Sequence, residues 1–403
     1  MMKKASPDSV HKILTRNAVN AIDRASLERK LTSGKKLRIK LGCDPTRPDL
    51  HLGHAVVLRR LRALQDLGHT VVFIIGDFTA RIGDPSGRAN AKKSLTAKEA
   101  ARNSKTYFDQ VAKFLDVKKA EIRKNSQWLS KLSAEEIIRL AGQFTAARIL
   151  ERDDFAKRLK AGTEVWLHEL LYPIFQGYDS VAVKADIEIG GTDQLFNFLA
   201  ARHLMEKLGM PPQDIITFEI LPGLDGKEKM SKSLDNYIGV TESQDSMFGK
   251  AMSLPDSSIL LYFKLTTDRN DAEIQAIKKR LKSGENPRDI KLDLAQDIVS
   301  LYHGAVAGEK SRAEFIKVFS KKELPSAILQ KELRPGSYEI VALLMALGMA
   351  PSKSEARRLV EQGAVEIIPK QGLAEKIRDS KQIVSVTAKM VVRVGKTRFM
   401  RIK

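Results

Sequence analysis

Leu37-Arg38-Ile39-Lys40-Leu41, Gly42-Cys43-Asp44-Pro45, His51-Leu52-Gly53-His54 and Val71-Val72-Phe73-Ile74-Ile75 follow one another within forty residues, and their order decides the fold. The first five predict a short strand running into a turn. From His54 to Leu67 the apolar residues Val57, Leu61 and Leu64 share one helical face, and Gly68 supplies a stop. Val71 to Ile75 is an unbroken, β-branched run, as expected of a strand covered on both faces. Strand, helix, strand predicts a parallel βαβ unit and hence an α/β, doubly wound, Rossmann-like parallel sheet. Val181 to Ile189, a helix after Gly191, and Ile215 to Leu221 repeat the alternation.

Beyond residue 239 the pattern changes. Asp271 to Leu281 and Asn286 to Tyr302 have helical periodicity, the second opening with an Asn N-cap and Pro at the first helical position. This predicts a small all-helical domain over 240–332. Leu333 to Ser337, with Pro335 and Gly336, reads as a linker. A small α+β domain is expected over 337–403: a capping box at Ser352 and Glu355 starts a short helix that stops at Gly363, and strands follow at Val365–Ile368, Met390–Val394 and Arg398–Ile402.

Composition narrows the class. The chain has 403 residues, 43% hydrophobic and 29% charged, which excludes wholesale disorder. The longest apolar run, Ile340 to Ala350, is far short of a membrane span, and the basic start carries no apolar signal segment. A single cysteine, Cys43, makes neither an internal disulfide nor a thiolate zinc site. The expectation is a cytoplasmic, multidomain protein. Its net charge of +20 is uneven: +16 over residues 1–150, −6 over 151–300 and +10 over 301–403. A basic excess of this size favours a polyanionic partner, although solvated charge alone also produces one.

Several residue groups could carry chemistry. His51-Leu52-Gly53-His54 lies between a strand and a helix, where free backbone amides and the helix dipole favour an anion; Gly53 permits close approach, and two imidazoles add donors. Alone, the four residues are equally a surface pair beside a turn. Lys229-Met230-Ser231-Lys232-Ser233 follows a glycine-rich turn and could swing two ammonium groups onto a polyphosphate; alone, it is a basic loop. Tyr172, Gln176 and Asp179 fall on one helical face and form a polar wall or a half-exposed helix surface. Gly190-Gly191-Thr192-Asp193-Gln194 reads as a strand-to-helix turn with Thr192 or Asp193 as cap. Asp84 reads as a turn aspartate.

The two motifs together, in this order, resemble the paired signatures of class I aminoacyl-tRNA synthetases. From about Leu37 onward the chain resembles the bacterial tyrosyl-tRNA synthetases. That resemblance implies adenylation of tyrosine by ATP, then transfer to the 3′ end of tRNA(Tyr), by a cytoplasmic homodimer with no membrane or DNA partner. It implies that His51, His54 and Thr46 contact the ATP phosphates, while Lys229, Lys232 and Arg88 hold the departing pyrophosphate and Ser233 belongs to the same catalytic loop. Gly53, Gly191, Asp193, Met230 and Ser231 would surround the nucleotide, Asp193 on the ribose. Tyrosine would meet Asp84, Tyr172 and Gln176 around its amino end, Gln194 near its carboxylate and Asp179 at its hydroxyl, with Asp44 also near it. Mg2+ would arrive with ATP, with no protein-bound structural metal. The 337–403 segment resembles a small RNA-binding domain shared with a ribosomal protein, so Lys353, Arg357 and Arg358 become candidate RNA contacts.

Three departures stand out. Lys40 occupies a position where many family members have a tyrosine beside the substrate hydroxyl; either Asp179 works with another donor, or Lys40 pairs with a carboxylate in the pocket. Cys43 replaces a commonly larger apolar residue and reads as core filler. After Val365 a Val-Asn-Gly turn is replaced by Ile368-Pro369-Lys370-Gln371-Gly372. The basic segment Ala147 to Lys160 is expected as one helix serving a dimer interface or a tRNA arm. The rival readings are a tryptophanyl-tRNA synthetase and a non-catalytic RNA-binding protein on the same scaffold.

Overall fold

The computed structural model describes residues 6–85, 95–232, 234–321, 323–370, 373–395 and 398–403. They form two compact units, Met1–Arg312 and Ala313–Lys403. The first holds a six-stranded sheet made of β1 (Ala18–Ile22), β2 (Arg38–Cys43), β3 (Thr70–Ile75), β4 (Glu121–Lys124), β5 (Ile187–Gly191) and β6 (Asp214–Phe218) in the order β1-β6-β5-β2-β3-β4. All neighbours are parallel except β1, which pairs antiparallel with β6 at the edge.

The βαβ unit at residues 37–75 forms as its pattern requires. Helix α1 (Leu52–Asp66) buries Val57, Leu61 and Leu64, while Val71 to Ile75 are buried in β3. Chain order reverses between β2 and β5, the switch point where doubly wound sheets open a crevice beyond their strand ends. The expected continuity from Val181 to Ile189 is broken: α2 (Tyr172–Val183) reaches Val183, and Lys184 turns left-handed (φ 50°) before β5 begins. Helix α3 (Leu195–Lys207) packs on α2. Gly177 makes the approach possible, because a Cβ there would lie 3.1 Å from the Ala201 Cα.

Helices α4 (Gln244–Met252), α5 (Ile259–Thr266), α6 (Asp271–Lys282) and α7 (Pro287–His303) also belong to the first unit. Asn286 caps α7 by accepting from the Arg288 amide, with Pro287 at the first position. The segment Ala147 to Lys160 is two helices, Ala146–Leu150 and Asp153–Lys160. The break comes at Arg152, which turns inward and is buried, as is Arg158. Two of its five basic side chains are therefore internal.

In the second unit β7 (Leu329–Lys331), β9 (Val365–Ile368), β10 (Glu375–Ile377), β12 (Val391–Val394) and β13 (Arg398–Ile402) form one sheet, while β8 (Gly336–Glu339) pairs with β11 (Ile383–Val386). Gly336 and Ser337, read as linker, are thus strand residues. Helices α8 (Ile340–Ala346) and α9 (Lys353–Glu361) cover a core that includes Leu343, Leu344, Val360, Val365 and Val392. Ser352 caps α9, but Glu355 ion-pairs with Arg358. No described helix is long and apolar enough to cross a membrane.

Candidate active site

The crevice at the β2–β5 switch point is a cavity of about 580 Å³ lined by the ends of β2, β3 and β5, by residues 219–221 beyond β6 and by the 228–232 loop. Its lining brings the distant motifs together. Asp44, Asp84, Tyr172, Gln176, Asp179 and Gln194 contribute to one part of the wall. Thr46, His51, Gly53, His54, Gly191, Asp193, Lys229, Met230, Ser231 and Lys232 also line it. Arg88 and Ser233 lie outside the described residues.

Three carboxylates characterise the cavity. Asp44 accepts from Thr79 Oγ1 at 2.7 Å and from the Tyr172 hydroxyl at 3.1 Å. Burial pushes its carboxyl up to about 7; Asp84 and Asp179 push the same way, while the Thr79 and Tyr172 bonds oppose them. Gly76 leaves room for this carboxylate, since a Cβ there would sit 2.0 Å from Asp44 Oδ1. Asp84 is no plain turn residue: it accepts from Arg152 at 3.1 Å and from Gln194 Nε2 at 2.8 Å. Asp179, on α2, accepts from Trp128 Nε1 at 2.8 Å and Asn125 Nδ2 at 3.2 Å. Burial raises it to about 6, against the opposing pull of Lys40, Trp128 and Asn125. The Gln176 amide oxygen is buried without a partner, an acceptor free for a ligand's donor.

The phosphate-type motifs meet as well. His51 and His54 rings stand 3.9 Å apart, and burial with Lys232 and Lys229 nearby drops His51 to about 3 and His54 well below its ordinary value. Both imidazoles are therefore neutral near pH 7, acting as donors through one ring nitrogen rather than as cations. His51 Nδ1 is buried and unpartnered. Lys229 donates to Asp193 at 3.0 Å. Lys232 donates to the Arg47 carbonyl at 3.0 Å and the Tyr107 hydroxyl at 3.1 Å, and burial lowers it to about 8. Neither Thr192 nor Asp193 caps a helix: Gly191 opens a 3-10 turn over Thr192–Gln194 without a side-chain cap, and α3 follows.

Two expectations change. Lys40 does not line the cavity; it lies fully buried and bonds Glu188 at 2.7 Å, so it pairs with a carboxylate outside the pocket. Cys43 is half-buried and faces the cavity rather than filling the core, with burial pushing its thiol to about 11. Asn125, Trp128, Arg152, Thr79, Gly76 and Tyr107 were not anticipated. They act on the site from distant sequence positions, and no local motif marks them. Lys353, Arg357 and Arg358 are exposed on α9 in the second unit. Among the described residues no three His, Cys, Asp or Glu side chains are grouped to hold a metal ion.

A switch-point crevice holding a paired-histidine helix start and a two-lysine loop defines a class I aminoacyl-tRNA synthetase. The family described as tRNA synthetases class I (W and Y) matches residues 32–320. Similar proteins include the tyrosine–tRNA ligase of Thermotoga maritima, 49% identical and covering 98% of both chains, and that of Francisella tularensis, 46% identical over 97% of each. The tyrosyl-tRNA synthetase of Archaeoglobus fulgidus, solved with L-tyrosine, shares the fold at a TM-score of 0.62, with 23% identity over 76% of this chain and 99% of that one. The chain belongs to the tyrosine–tRNA ligases, which are aminoacyl-tRNA ligase enzymes.

Proposed function

We propose that this chain uses the crevice to join tyrosine to ATP as tyrosyl-adenylate and then transfers the tyrosyl group to a ribose hydroxyl at the 3′ end of tRNA(Tyr). The observation that carries the reading is the convergence of Asp44, Asp84 and Asp179 with a neutral histidine pair and two lysines in one cavity. An ammonium and a phenol suit the carboxylates; a triphosphate suits the histidines and lysines.

In the first step a carboxylate oxygen of tyrosine attacks the α-phosphorus, and the bond to the bridging oxygen of pyrophosphate breaks. No covalent enzyme intermediate is needed, so catalysis is positioning plus stabilisation of charge on the phosphoryl oxygens. Asp44, Asp84, Tyr172 and Gln176 would hold the amino group, Gln194 the carboxylate and Asp179 the hydroxyl. His51, His54 and Thr46 would donate to the phosphates, Asp193 and Gly191 would hold the ribose, and Met230 and Ser231 the adenosine side. Lys229 would exchange Asp193 for the departing pyrophosphate, joined by Lys232, Ser233 and Arg88. Mg2+ enters with ATP as part of the substrate. A carboxylate built to accept from a hydroxyl disfavours phenylalanine, a principle for which tyrosyl enzymes are themselves the standing example, so no editing domain is required.

The reading extends to the rest of the chain. Residues 1–239 would carry catalysis, 240–332 would face the anticodon side of tRNA, and 337–403, with Lys353, Arg357 and Arg358, would hold RNA rather than DNA. A homodimer is supported by the exposed apolar side chains Ile138, Trp166 and Leu167 on or beside helices whose Leu140 and Leu171 join one apolar cluster. The cytoplasm, which supplies tRNA and ATP, would be the working compartment. Charging of bacterial tRNA with labelled tyrosine tests the whole reading: tyrosine should become acid-precipitable with tRNA and tryptophan should not, and the reverse result would refute it.

A further inference from the structure

Beneath the crevice, and outside its lining, lies a buried ionic cluster for which the proposed steps have no use. Lys40 on β2 and Glu188 on β5 are register partners across the two strands that form the switch point. Their side chains are 0% and 1% exposed and meet at 2.7 Å. Lys40 Nζ also donates to Ser180 Oγ at 2.8 Å and to the Gln176 carbonyl at 3.0 Å, so all three of its protons have acceptors. The other Glu188 oxygen accepts from Ser180 Oγ at 2.8 Å and Gln213 Nε2 at 2.9 Å. Within it both Glu188 oxygens and all three Lys40 protons are engaged, while the Gln213 amide oxygen is buried without a partner.

Stability alone is a poor reason for such a cluster. Desolvating two charges costs about what their attraction returns, and apolar residues of similar volume often do as well. What the cluster does uniquely is grip α2 at Gln176 and Ser180, and these bracket Asp179. Gln176 and Asp179 face the crevice from the same turns that Lys40 holds from behind.

We propose that Lys40 is a positioning residue for tyrosine recognition: its ammonium ties the Gln176–Ser180 segment of α2 to Glu188 on β5 and so fixes where Asp179 meets the substrate hydroxyl. The inference rests on the reading of tyrosine as substrate. Each Asp179 oxygen already takes one donor, from Trp128 or Asn125, and keeps one lone-pair direction for the phenol. A small rotation of the α2 backbone would spoil that remaining direction without disturbing the histidine and lysine groups. The Lys40 charge also favours the ionised form of Asp179, against burial and Glu188. The cluster would therefore act on both the geometry and the charge of the recognising carboxylate.

The test compares three full-length variants with the wild-type chain in tyrosine-dependent ATP–pyrophosphate exchange, with thermal unfolding recorded for each. Lys40→Met alone leaves Glu188 buried without its cation and is the variant most at risk of not folding. Lys40→Met/Glu188→Gln removes both charges and keeps a neutral partner for Ser180 and Gln213. Ser180→Ala removes one link of the grip and leaves the ion pair. In the folded double variant the KM for tyrosine should rise about tenfold, the equivalent of one ordinary hydrogen bond, and selectivity over phenylalanine should fall with it. The kcat and the KM for ATP should stay within about twofold, because uniform binding at the tyrosine end is what is lost. Ser180→Ala should show the same split at smaller size, and it reads the proposal by itself if both Lys40 variants unfold. Wild-type KM for tyrosine and wild-type selectivity in a folded variant, or equal losses in every parameter, would overturn the proposal. If the unaltered chain shows no tyrosine-dependent exchange, the proposed function falls and takes this inference with it; a normal wild type beside indifferent variants removes only the inference.

Discussion

At the scale of single residues, burial sets the chemistry of the crevice more than local sequence does. Asp44 and Asp179 are pushed up to about 7 and about 6 by burial first, while His51 is pushed down to about 3. These directions fix a pH dependence. Both carboxylates are charged in mild alkali and take up protons as pH falls through 7 and then 6, so the charge Asp44 offers the ammonium is lost first and the acceptor Asp179 offers the hydroxyl is weakened next. His51 stays neutral throughout that range. The KM for tyrosine should therefore climb as pH is lowered from about 8 to about 5.5, with kcat changing much less. A flat KM profile would show that neither carboxylate serves the amino acid. On the phosphate side, His54→Ala should slow adenylate formation by about 10²–10³, the scale for one transition-state donor, and leave tyrosine affinity nearly unchanged. Rapid-quench measurement of adenylate reads this directly, and an unaltered rate removes His54 from the mechanism. Residues of the signature motifs were legible because each carries its chemistry in a few adjacent positions. Arg152, Asn125 and Trp128 were not, since an arginine holding Asp84 from 68 positions away leaves no local pattern.

At the scale of elements, periodicity identified helices whose two faces differ, such as α1 and α7, and an unbroken apolar run identified β3, buried on both faces. It failed where a boundary depends on tertiary contact. The apolar residues on both sides of Lys184 read as continuous, yet the first group packs as helix and the second pairs as strand. The edge strand β1 carries no alternation that its half-buried pattern would reveal. Close packing of α2 on α3 rests on Gly177, invisible until the helices are paired in space. Gly177→Val should force them apart, cost about 1–3 kcal/mol and lower the unfolding midpoint, because the contacted Ala201 Cα belongs to backbone and cannot yield. An unchanged midpoint would mean that α2 has slack. Gly76→Ala acts differently: its Cβ meets the Asp44 carboxylate, so the expected loss is in tyrosine KM rather than in folding.

For the whole molecule, the net +20 now has an internal structure. Part of the positive charge is spent inside: Lys40 of the basic first segment pairs with Glu188, and in the acidic middle segment Arg152 and Arg158 pair with Asp84 and Glu169. The second unit keeps Lys353, Arg357 and Arg358 on its surface. Removing residues 337–403 should accordingly reduce tRNA charging far more than adenylate formation, and equal losses in the two assays would argue against an RNA-binding role. The central claim is that the crevice selects tyrosine and joins it to ATP. Exchange of labelled pyrophosphate into ATP, measured with tyrosine, with tryptophan and with no amino acid, tests it most directly. The account predicts exchange with tyrosine alone; exchange with tryptophan in its place, or none with either, would contradict it.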